Sequence, residues 1–229
     1  TVVVGVVWAL FFFVFEKKNK YSVKIWTIIR YVGLGLLSLI LLGATVIIIL
    51  SATGNTPDML AEMTASISYL NWNDDWGNKR GMSWTVNVYI FRDLPIINKL
   101  FGVGPDGYAF FAYDNFGEML DTMFPGLTLS NAHNEWMNAL ICYGIFGVIM
   151  YIGIFVTSIA AFAKVSMKNP KMVGIIACIV SYMAHNFFCY QQVCCTPFIF
   201  ILIGFGTYIY RDEIRDEWEK RLKEKQKNL

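Results

Sequence analysis

Five runs of apolar residues that carry almost no charge alternate with polar stretches along this chain. They cover residues 2–15, 25–50, 137–163, 172–188 and 196–210. A helix that crosses a membrane needs roughly 20 apolar residues, because ~30 Å of hydrocarbon is spanned at ~1.5 Å per residue. The second and third runs reach this length, and the fourth and fifth extend toward each other around Gln191. The pattern therefore predicts membrane-spanning helices.

The first run is too short for a span, and it begins at Thr1 with neither a methionine nor a flanking charge. It does not have the pattern of a signal peptide, because the basic residues follow the apolar run and no small-residue cleavage site is present. We expect it to be the remainder of a truncated helix, and the chain to be the C-terminal portion of a longer protein.

Composition agrees with this interpretation. Hydrophobic residues make up 56% of the 229 residues, which is too apolar for a soluble domain of this length. We therefore predict an all-α, polytopic integral membrane protein with five transmembrane segments, the first of them truncated, and one large extracytoplasmic loop.

The predicted spans divide the chain into four parts. Residues 1–50 contain two transmembrane segments and a basic connection, and residues 51–136 form the extracytoplasmic loop. Residues 137–210 contain three transmembrane segments, and residues 211–229 form a charged helical tail. In the tail, Ile214, Trp218 and Leu222 recur every four residues, which is typical of a helix with one solvated face.

The distribution of lysine and arginine predicts the orientation. The segments after the first and third runs and the tail are all basic, and with five spans they fall on the same side of the membrane. Because cytoplasmic loops are enriched in basic residues, we place these three segments, and the C terminus, in the cytoplasm. Residues 51–136 then face outward.

Loops on a rigid scaffold often carry function, so we expect the functional residues to lie within 51–136. Gly102, Gly104 and Gly107 match the dinucleotide-binding pattern G-x-G-x-x-G, but that pattern has meaning only between a strand and a helix. Here Pro105 and the Asp106–Gly107 pair indicate a tight turn instead. The five cysteines lie within or beside apolar runs and have no zinc-ligand spacing; a disulfide among Cys189, Cys194 and Cys195 stays open.

His133 lies where the outer segment returns to the membrane. Ser130 or Asn131 can cap the following helix, which would place His133 in its first turn. A helix N terminus suits an anion, and a neutral histidine beside an anion is what a general base near a diphosphate leaving group requires. The alternative is an interfacial histidine hydrogen bonded to water. His185 lies toward the outer end of the fourth span. For this residue the two alternatives, a position facing a cavity and an ordinary interfacial position, stay equally open.

Several motifs follow one another in the outer segment. They are Arg-Gly-Met-Ser-Trp at 80–84, Phe-Arg-Asp-Leu-Pro at 91–95, Phe-Gly-Val-Gly-Pro-Asp-Gly-Tyr at 101–108, Ala-His-Asn-Glu-Trp at 132–136 and Tyr-Gly-Ile-Phe-Gly at 143–147. In order, spacing and membrane side, this arrangement resembles the C-terminal half of the O-antigen ligase and O-antigen polymerase superfamily. That family shows an Arg-x-x-x-Trp element, a Gly-x-Gly turn and a His-Asn element before a helix with Gly-x-x-Gly.

The resemblance implies a metal-independent glycosyltransferase without a cofactor, in the bacterial cytoplasmic membrane. Its donor would be a polyprenyl-diphosphate-linked oligosaccharide, and its acceptor a hydroxyl of a glycan, lipid or protein. His133 and Arg80 match the family's catalytic residues, with His133 activating the acceptor and Arg80 binding the donor diphosphate. Arg92 would also bind the diphosphate, although relatives often have lysine there. A further arginine that the family supplies from an earlier outer loop is not identifiable in this chain.

Three residues are weaker candidates for support of the site. Asp106 and Glu135 could assist acid–base chemistry, but each has an ordinary alternative, as a turn residue and as a carboxylate at a helix N terminus. Trp84 belongs to the Arg-x-x-x-Trp element. Arginine suits phosphate because its planar fork matches phosphate oxygens, and the segment has no evident carboxylate pair for a metal. Membrane lipid is an expected partner; nucleic acid is not.

Two other function classes compete with this one. A transporter or flippase of lipid-linked oligosaccharide would be expected to have charged or discontinuous helices at the bilayer midplane, whereas the central parts of these runs are nearly free of charge. An interaction or sensor protein would not need Arg80 and His133 together. The sequence does not distinguish a ligase from a polymerase.

Overall fold

The computed structural model describes residues 24–169 and 171–227. The regular elements are α1 (Lys24–Ala52), α2 (Asp58–Thr64), a 3-10 turn (Ser68–Leu70), α3 (Trp76–Asp93), α4 (Ile96–Phe101), α5 (Tyr108–Met123), α6 (Glu135–Ser166), α7 (Lys171–Phe188) and α8 (Thr196–Lys227). No strand occurs within the described ranges, which confirms the predicted all-α class. The predicted first span and the lysines at 17, 18 and 20 lie outside the described residues.

Three of these helices are long and apolar enough to cross a membrane. They are the Tyr31–Ala52 part of α1, α6 and α7. In α8 the apolar part ends at Tyr210, short of the roughly 20 residues that a span needs, and the helix continues into the charged tail without a break. The structure thus supports a membrane protein, while the count of five spans and the four-part division stay predictions.

The chain forms two compact units. The first contains Val32–Met150 and Asn186–Tyr190, and the second contains the described parts of Thr1–Tyr31, Tyr151–His185 and Gln191–Leu229. In the second unit, Phe155 is fully buried, with its ring 5.3 Å from that of Tyr151 and 5.8 Å from that of Tyr182. The candidate site belongs to the first unit.

Residues 51–136 form helices with a core of their own rather than an irregular loop. The core joins α3, α5 and the start of α6, and its most buried members are Val86, Ile90, Tyr108, Ala112, Leu120 and Ile141. Met59, Met63, Ile67 and Leu70 recur at the spacing of a single helix, but the structure divides this stretch into α2 and the 3-10 turn, which leaves Met59 and Met63 about 70% exposed. Exposed methionines of this kind fit the predicted contact with lipid.

The buried face of α3 differs from the predicted one. The spacing of Trp84, Val88 and Phe91 places them on one helical face and predicts that this apolar face is buried, but Val88 is 54% exposed and the polar residues Ser83 and Asn87 are buried. The periodicity misled because these two polar side chains are hydrogen bonded inside the core, so their burial carries little cost.

Glycine determines how the turn before α5 contacts α6. At Gly144 the backbone of α6 leaves helical geometry, with φ 69° and ψ −174°. This break leaves carbonyls without their usual helical donors, and the Val103 and Gly104 amides bind those of Ile141 and Cys142 at 3.0 and 2.9 Å. The Gly-rich turn therefore docks onto α6 through its backbone, which is a structural role and not nucleotide binding.

Candidate functional site

A cavity of about 340 Å³ lies among α3, the end of α5 and the segment before α6. Its lining consists of Asn78, Lys79, Arg80, Ser83, Phe124, Leu127, Thr128, Leu129 and His133. The structure therefore brings Arg80 and His133 together, although they lie 53 positions apart in the chain. The lining contains two permanent cations and no carboxylate, so it is suited to an anion.

His133 adopts a backbone conformation that is uncommon for a side-chain-bearing residue. Its φ is +49°, in the left-handed region. Its amide N–H donates to Asn131 Oδ1 at 2.9 Å, and its Nδ1 lies 3.3 Å from the Asn131 carbonyl oxygen. The ring of Tyr190 meets the imidazole edge-on, with centroids 5.9 Å apart. The imidazole is thus held against two neighbours while it lines the cavity.

The residue that caps α6 lies later in the chain than predicted. Asn134 caps α6, because its Oδ1 accepts the amides of Trp136 and Met137 at 3.0 and 3.1 Å. His133 consequently precedes the helix rather than lying in its first turn. The expectation of Ser130 or Asn131 as the cap was wrong because the Asn131 side chain is used in the turn that holds His133.

The peptide group before His133 is held from the side of α3. Ser83 Oγ and Asn87 Nδ2 both donate to the Ala132 carbonyl, at 3.1 and 3.2 Å. The Tyr108 hydroxyl in turn donates to Asn87 Oδ1. All three side chains are buried, so this network is closed off from water.

Arg80 is oriented by two backbone carbonyls. Its Nε donates to the Phe188 carbonyl at 2.8 Å, and its other hydrogen bond goes to Gly77. Just before it, Gly77, Asn78 and Lys79 all have φ near +60°, which turns the chain sharply into the regular part of α3. Lys79 lines the cavity because of this turn, and no sequence motif points to it, since nothing in the local pattern predicts three successive left-handed residues.

Three consecutive residues at the end of α7 contact the site. The Phe188 carbonyl accepts from Arg80, and the Cys189 carbonyl accepts the Glu135 amide at 2.9 Å. Tyr190 supplies the ring against His133. No sequence motif predicts this contribution, because it is made mainly by backbone carbonyls.

Arg92 lies elsewhere. It is near the opposite end of α3, roughly 18 Å along the axis from Arg80, and it lines a separate apolar cavity. Its guanidinium pairs with Asp93 at 2.7 Å and lies over the Tyr89 ring. The hydrogen bond from Arg92 lowers the pKa of Asp93, and the same contact raises the pKa of Arg92. The structure does not bring Arg92 into the cavity of Arg80 and His133.

The remaining sequence candidates occupy four different environments. Trp84 packs in an aromatic cluster with Trp72, Trp76, Phe187 and Phe188 beside Arg80. Glu135 is buried as the first residue of α6. Asp106 is exposed in the Gly-rich turn with φ +54°, and His185 is an exposed residue of α7 in the second compact unit.

The remaining side chains to describe are those that could bind a metal or form a disulfide. Across 24–169 and 171–227, no three side chains of His, Cys, Asp or Glu are grouped as a metal site. All five cysteines are free thiols, with the Cys194 and Cys195 sulfurs 3.7 Å apart.

Comparison with known proteins adds one finding. A family model described as O-antigen ligase matches residues 1–152 of the chain. The matched range includes Arg80, Lys79, His133 and the Gly-rich turn, and it ends before the Phe188–Tyr190 stretch. No curated protein matches the chain, and no solved structure matches it either.

Proposed function

The chain belongs to the O-antigen ligase family, and we propose that it transfers a glycan from a polyprenyl diphosphate to an acceptor hydroxyl on the outer face of the membrane. The family consists of membrane glycosyltransferases of the ligase and polymerase type. One observation carries the proposal: a single cavity is lined by Arg80, Lys79 and His133 and has no carboxylate in its lining.

Arg80 would bind the diphosphate. A guanidinium carries five N–H donors, and the bonds to Phe188 and Gly77 use only part of them. Those two bonds also fix the plane of the guanidinium before the donor arrives. An oriented cation is worth most where negative charge grows in the transition state, as it does on a departing diphosphate. Lys79 would add a second positive charge in the same cavity.

His133 would act as the general base. The Asn131 carbonyl beside Nδ1 favours the tautomer that carries its proton there, because a carbonyl can only accept a hydrogen bond. Nε2 is then free to accept the proton of the acceptor hydroxyl. As the hydroxyl oxygen bonds to the anomeric carbon, the bond from that carbon to the diphosphate breaks, the proton moves to His133, and the new charge on the diphosphate is met by Arg80.

The location of this reaction follows from charge distribution and family. The basic connection after α6 and the basic tail support our proposal that these segments lie in the cytoplasm of a bacterium and that the cavity lies on the opposite side of the cytoplasmic membrane. A diphosphate donor suits that side, since it needs no nucleotide sugar. Glycan, lipid or protein hydroxyls are all chemically competent acceptors, and ligase and polymerase activity differ only in which of them is used.

Transfer by the purified full-length protein tests the proposal. With a polyprenyl-diphosphate oligosaccharide and candidate acceptors, His133→Ala should lower kcat by roughly 10²- to 10⁴-fold, the range for loss of a general base. Arg80→Ala should lower it by about 10²- to 10³-fold. Arg215→Ala, which removes an exposed arginine paired with Asp212 in the tail, is the matched control. Normal transfer by both site variants would overturn the assignment.

Two further experiments distinguish the remaining alternatives. Arg92→Ala should keep nearly full activity if the cavity is the donor site, whereas the motif-based prediction requires a loss. A chelator should leave transfer unchanged; loss of transfer in chelator, restored by added divalent cation, would contradict the metal-independent mechanism. A flippase would move the lipid-linked glycan across a vesicle membrane without joining it to any acceptor.

A further inference from the structure

The backbone of His133 needs support from its surroundings. A residue with a side chain in the left-handed region is strained and persists only where its neighbours hold it. Its neighbours do so from both sides. The His133 amide is bound by Asn131, and the carbonyl on the other side of the same peptide bond accepts from Ser83 and Asn87.

The supporting side chains are buried polar groups with matched partners. Ser83, Asn87 and Tyr108 are each no more than 2% exposed. A carbonyl oxygen has two lone pairs, and the two donors from α3 fill both of those on Ala132. Tyr108 supplies the donor that Asn87 Oδ1 needs. Apolar side chains could fill this core with less desolvation, so the network is better explained by the geometry that it specifies.

Tyr108 is itself held at both ends. It begins α5 directly after the Gly-rich turn, whose amides bind the carbonyls of Ile141 and Cys142 in α6. Burial raises the pKa of Tyr108 well above its ordinary value, so the phenol keeps its proton and remains a donor. The Gly-rich turn, Tyr108 and Asn87 thereby form a continuous chain of contacts from α6 to the peptide before His133.

We propose that Ser83, Asn87 and Tyr108 are positioning residues that hold His133 in its left-handed conformation and so fix the place of its imidazole in the cavity. Asn87 and Tyr108 lie outside the lining of the cavity, whereas Ser83 is part of it; in this assignment all three act through the Ala132 carbonyl, Tyr108 by way of Asn87. The inference that this placement matters for catalysis rests on the proposed function, whereas the placement itself can be measured without any substrate.

Chemical reactivity of the imidazole reports its placement directly. Diethyl pyrocarbonate acylates neutral imidazole, and the chain contains two histidines, so His185 serves as an internal control. In the purified full-length protein, Tyr108→Phe and Asn87→Leu should each change the acylation rate of His133 several-fold, as followed by peptide mass spectrometry. The rate at His185 should not change. Equal His133 rates in the wild-type protein and both variants would overturn the proposal.

Kinetics separate positioning from general loss of structure. Tyr108→Phe and Asn87→Leu should lower kcat on the order of ten-fold or more, because small misplacement of a reacting group is costly, while the KM for the donor stays nearly constant. Tyr182→Phe is the matched control, since it removes a buried hydroxyl bonded to Thr196 in the second compact unit. Ser83→Thr, which keeps the hydroxyl, should retain activity that Ser83→Ala loses. Equal losses in Ser83→Thr and Ser83→Ala would contradict the role of this donor.

Asn87→Asp gives a pH signature that a purely structural role would not produce. A carboxylate can accept from Tyr108 but cannot donate to the Ala132 carbonyl, whereas the protonated acid can do both. Burial raises the pKa of such a carboxyl above the ordinary ~3.9. The ratio of variant to wild-type kcat should therefore rise as pH falls, and a ratio independent of pH would contradict the proposal.

The two proposals fail differently. If the wild-type protein transfers no glycan but His133 acylation changes in the variants, the proposed function is wrong and the positioning role stands. If transfer is normal in the wild type and His133 acylation is unaffected by both substitutions, the function stands and the positioning role is wrong.

Discussion

Arg80 and Arg92 show how two residues of one type on one helix acquire different properties. Arg92 is paired with a neighbouring carboxylate and is mostly exposed, so its charge is screened and locally neutralised. Arg80 is only partly exposed and bonds to backbone carbonyls, which are polar but carry no net charge. Its positive charge is therefore still available to an anion. The motif identified both arginines, but only their neighbours distinguish them.

Arg80→Lys tests whether the shape of the guanidinium matters beyond its charge. An ammonium cannot bond to Phe188 and Gly77 through a planar fork and also present further N–H groups to a diphosphate. We expect kcat/KM for the donor to fall by roughly ten-fold or more, with a smaller loss than in Arg80→Ala. Steady-state kinetics with varied donor would measure it.

Lys79→Ala provides the comparison for this prediction. Lys79 lines the same cavity, but it is exposed and carries its charge on a flexible side chain. Lys79→Ala should therefore lower kcat/KM for the donor less than Arg80→Ala does. An Arg80→Lys variant with wild-type kcat/KM would show that charge alone is sufficient at this position.

At the scale of elements, the junction between the Gly-rich turn and α6 determines the frame of the site. A Cβ on Gly144 would lie 2.4 Å from the Leu100 backbone, and one on Gly102 would lie 2.1 Å from the Cys142 carbonyl. Both glycines also have φ values that a side chain disfavours. The sequence predicted a tight turn and a separate helix with two glycines; the structure shows that these are two sides of one contact.

Gly144→Ala should destabilise the protein for two reasons. The alanine would have a positive φ, and its methyl group would lie against the Leu100 backbone. The conformational strain alone is about 1–3 kcal/mol, and the contact with Leu100 adds to it. We expect a lower melting temperature in detergent and reduced transfer. Gly153→Ala in the same helix has open space around the added Cβ and should be neutral or stabilising by up to ~1 kcal/mol. Equal melting temperatures for both variants would contradict the docking of the turn onto α6.

Within the described residues, the molecule combines a packed helical core with long apolar helices, of which α1 is the least buried. The apolar stretch of α1 has none of its residues buried within the described structure, while α6 and α7 are partly buried. Exposed apolar helices of this length are expected to contact lipid or other protein. The charge pattern predicts on which side of the membrane each end lies.

Thiol labelling in intact cells tests that orientation. In a cysteine-free background, Asn115→Cys on the exposed surface of α5 should react with a membrane-impermeant maleimide, because it lies in the predicted outer segment. Lys225→Cys in the tail should react only after the membrane is permeabilised. The reverse pattern would place the candidate cavity in the cytoplasm and would contradict the proposed reaction on the outer face.

Sequence alone determined the class of this protein. Long apolar runs separated by basic connections predict membrane helices because water and hydrocarbon select residues by polarity, and that selection acts position by position. The motifs around Arg80, His133 and the Gly-rich turn likewise identified the family, because their residue types and order are visible in the chain itself. The family match over residues 1–152 confirms that recognition.

Only the tertiary structure decided how the site is assembled. It joined Arg80 to His133 and added Lys79, it left Arg92 outside, and it moved the helix cap to Asn134. These features depend on backbone carbonyls, left-handed residues and buried polar contacts between distant segments. Such interactions are set by where the backbone passes in space, whereas a sequence pattern reports only the local preference of each residue.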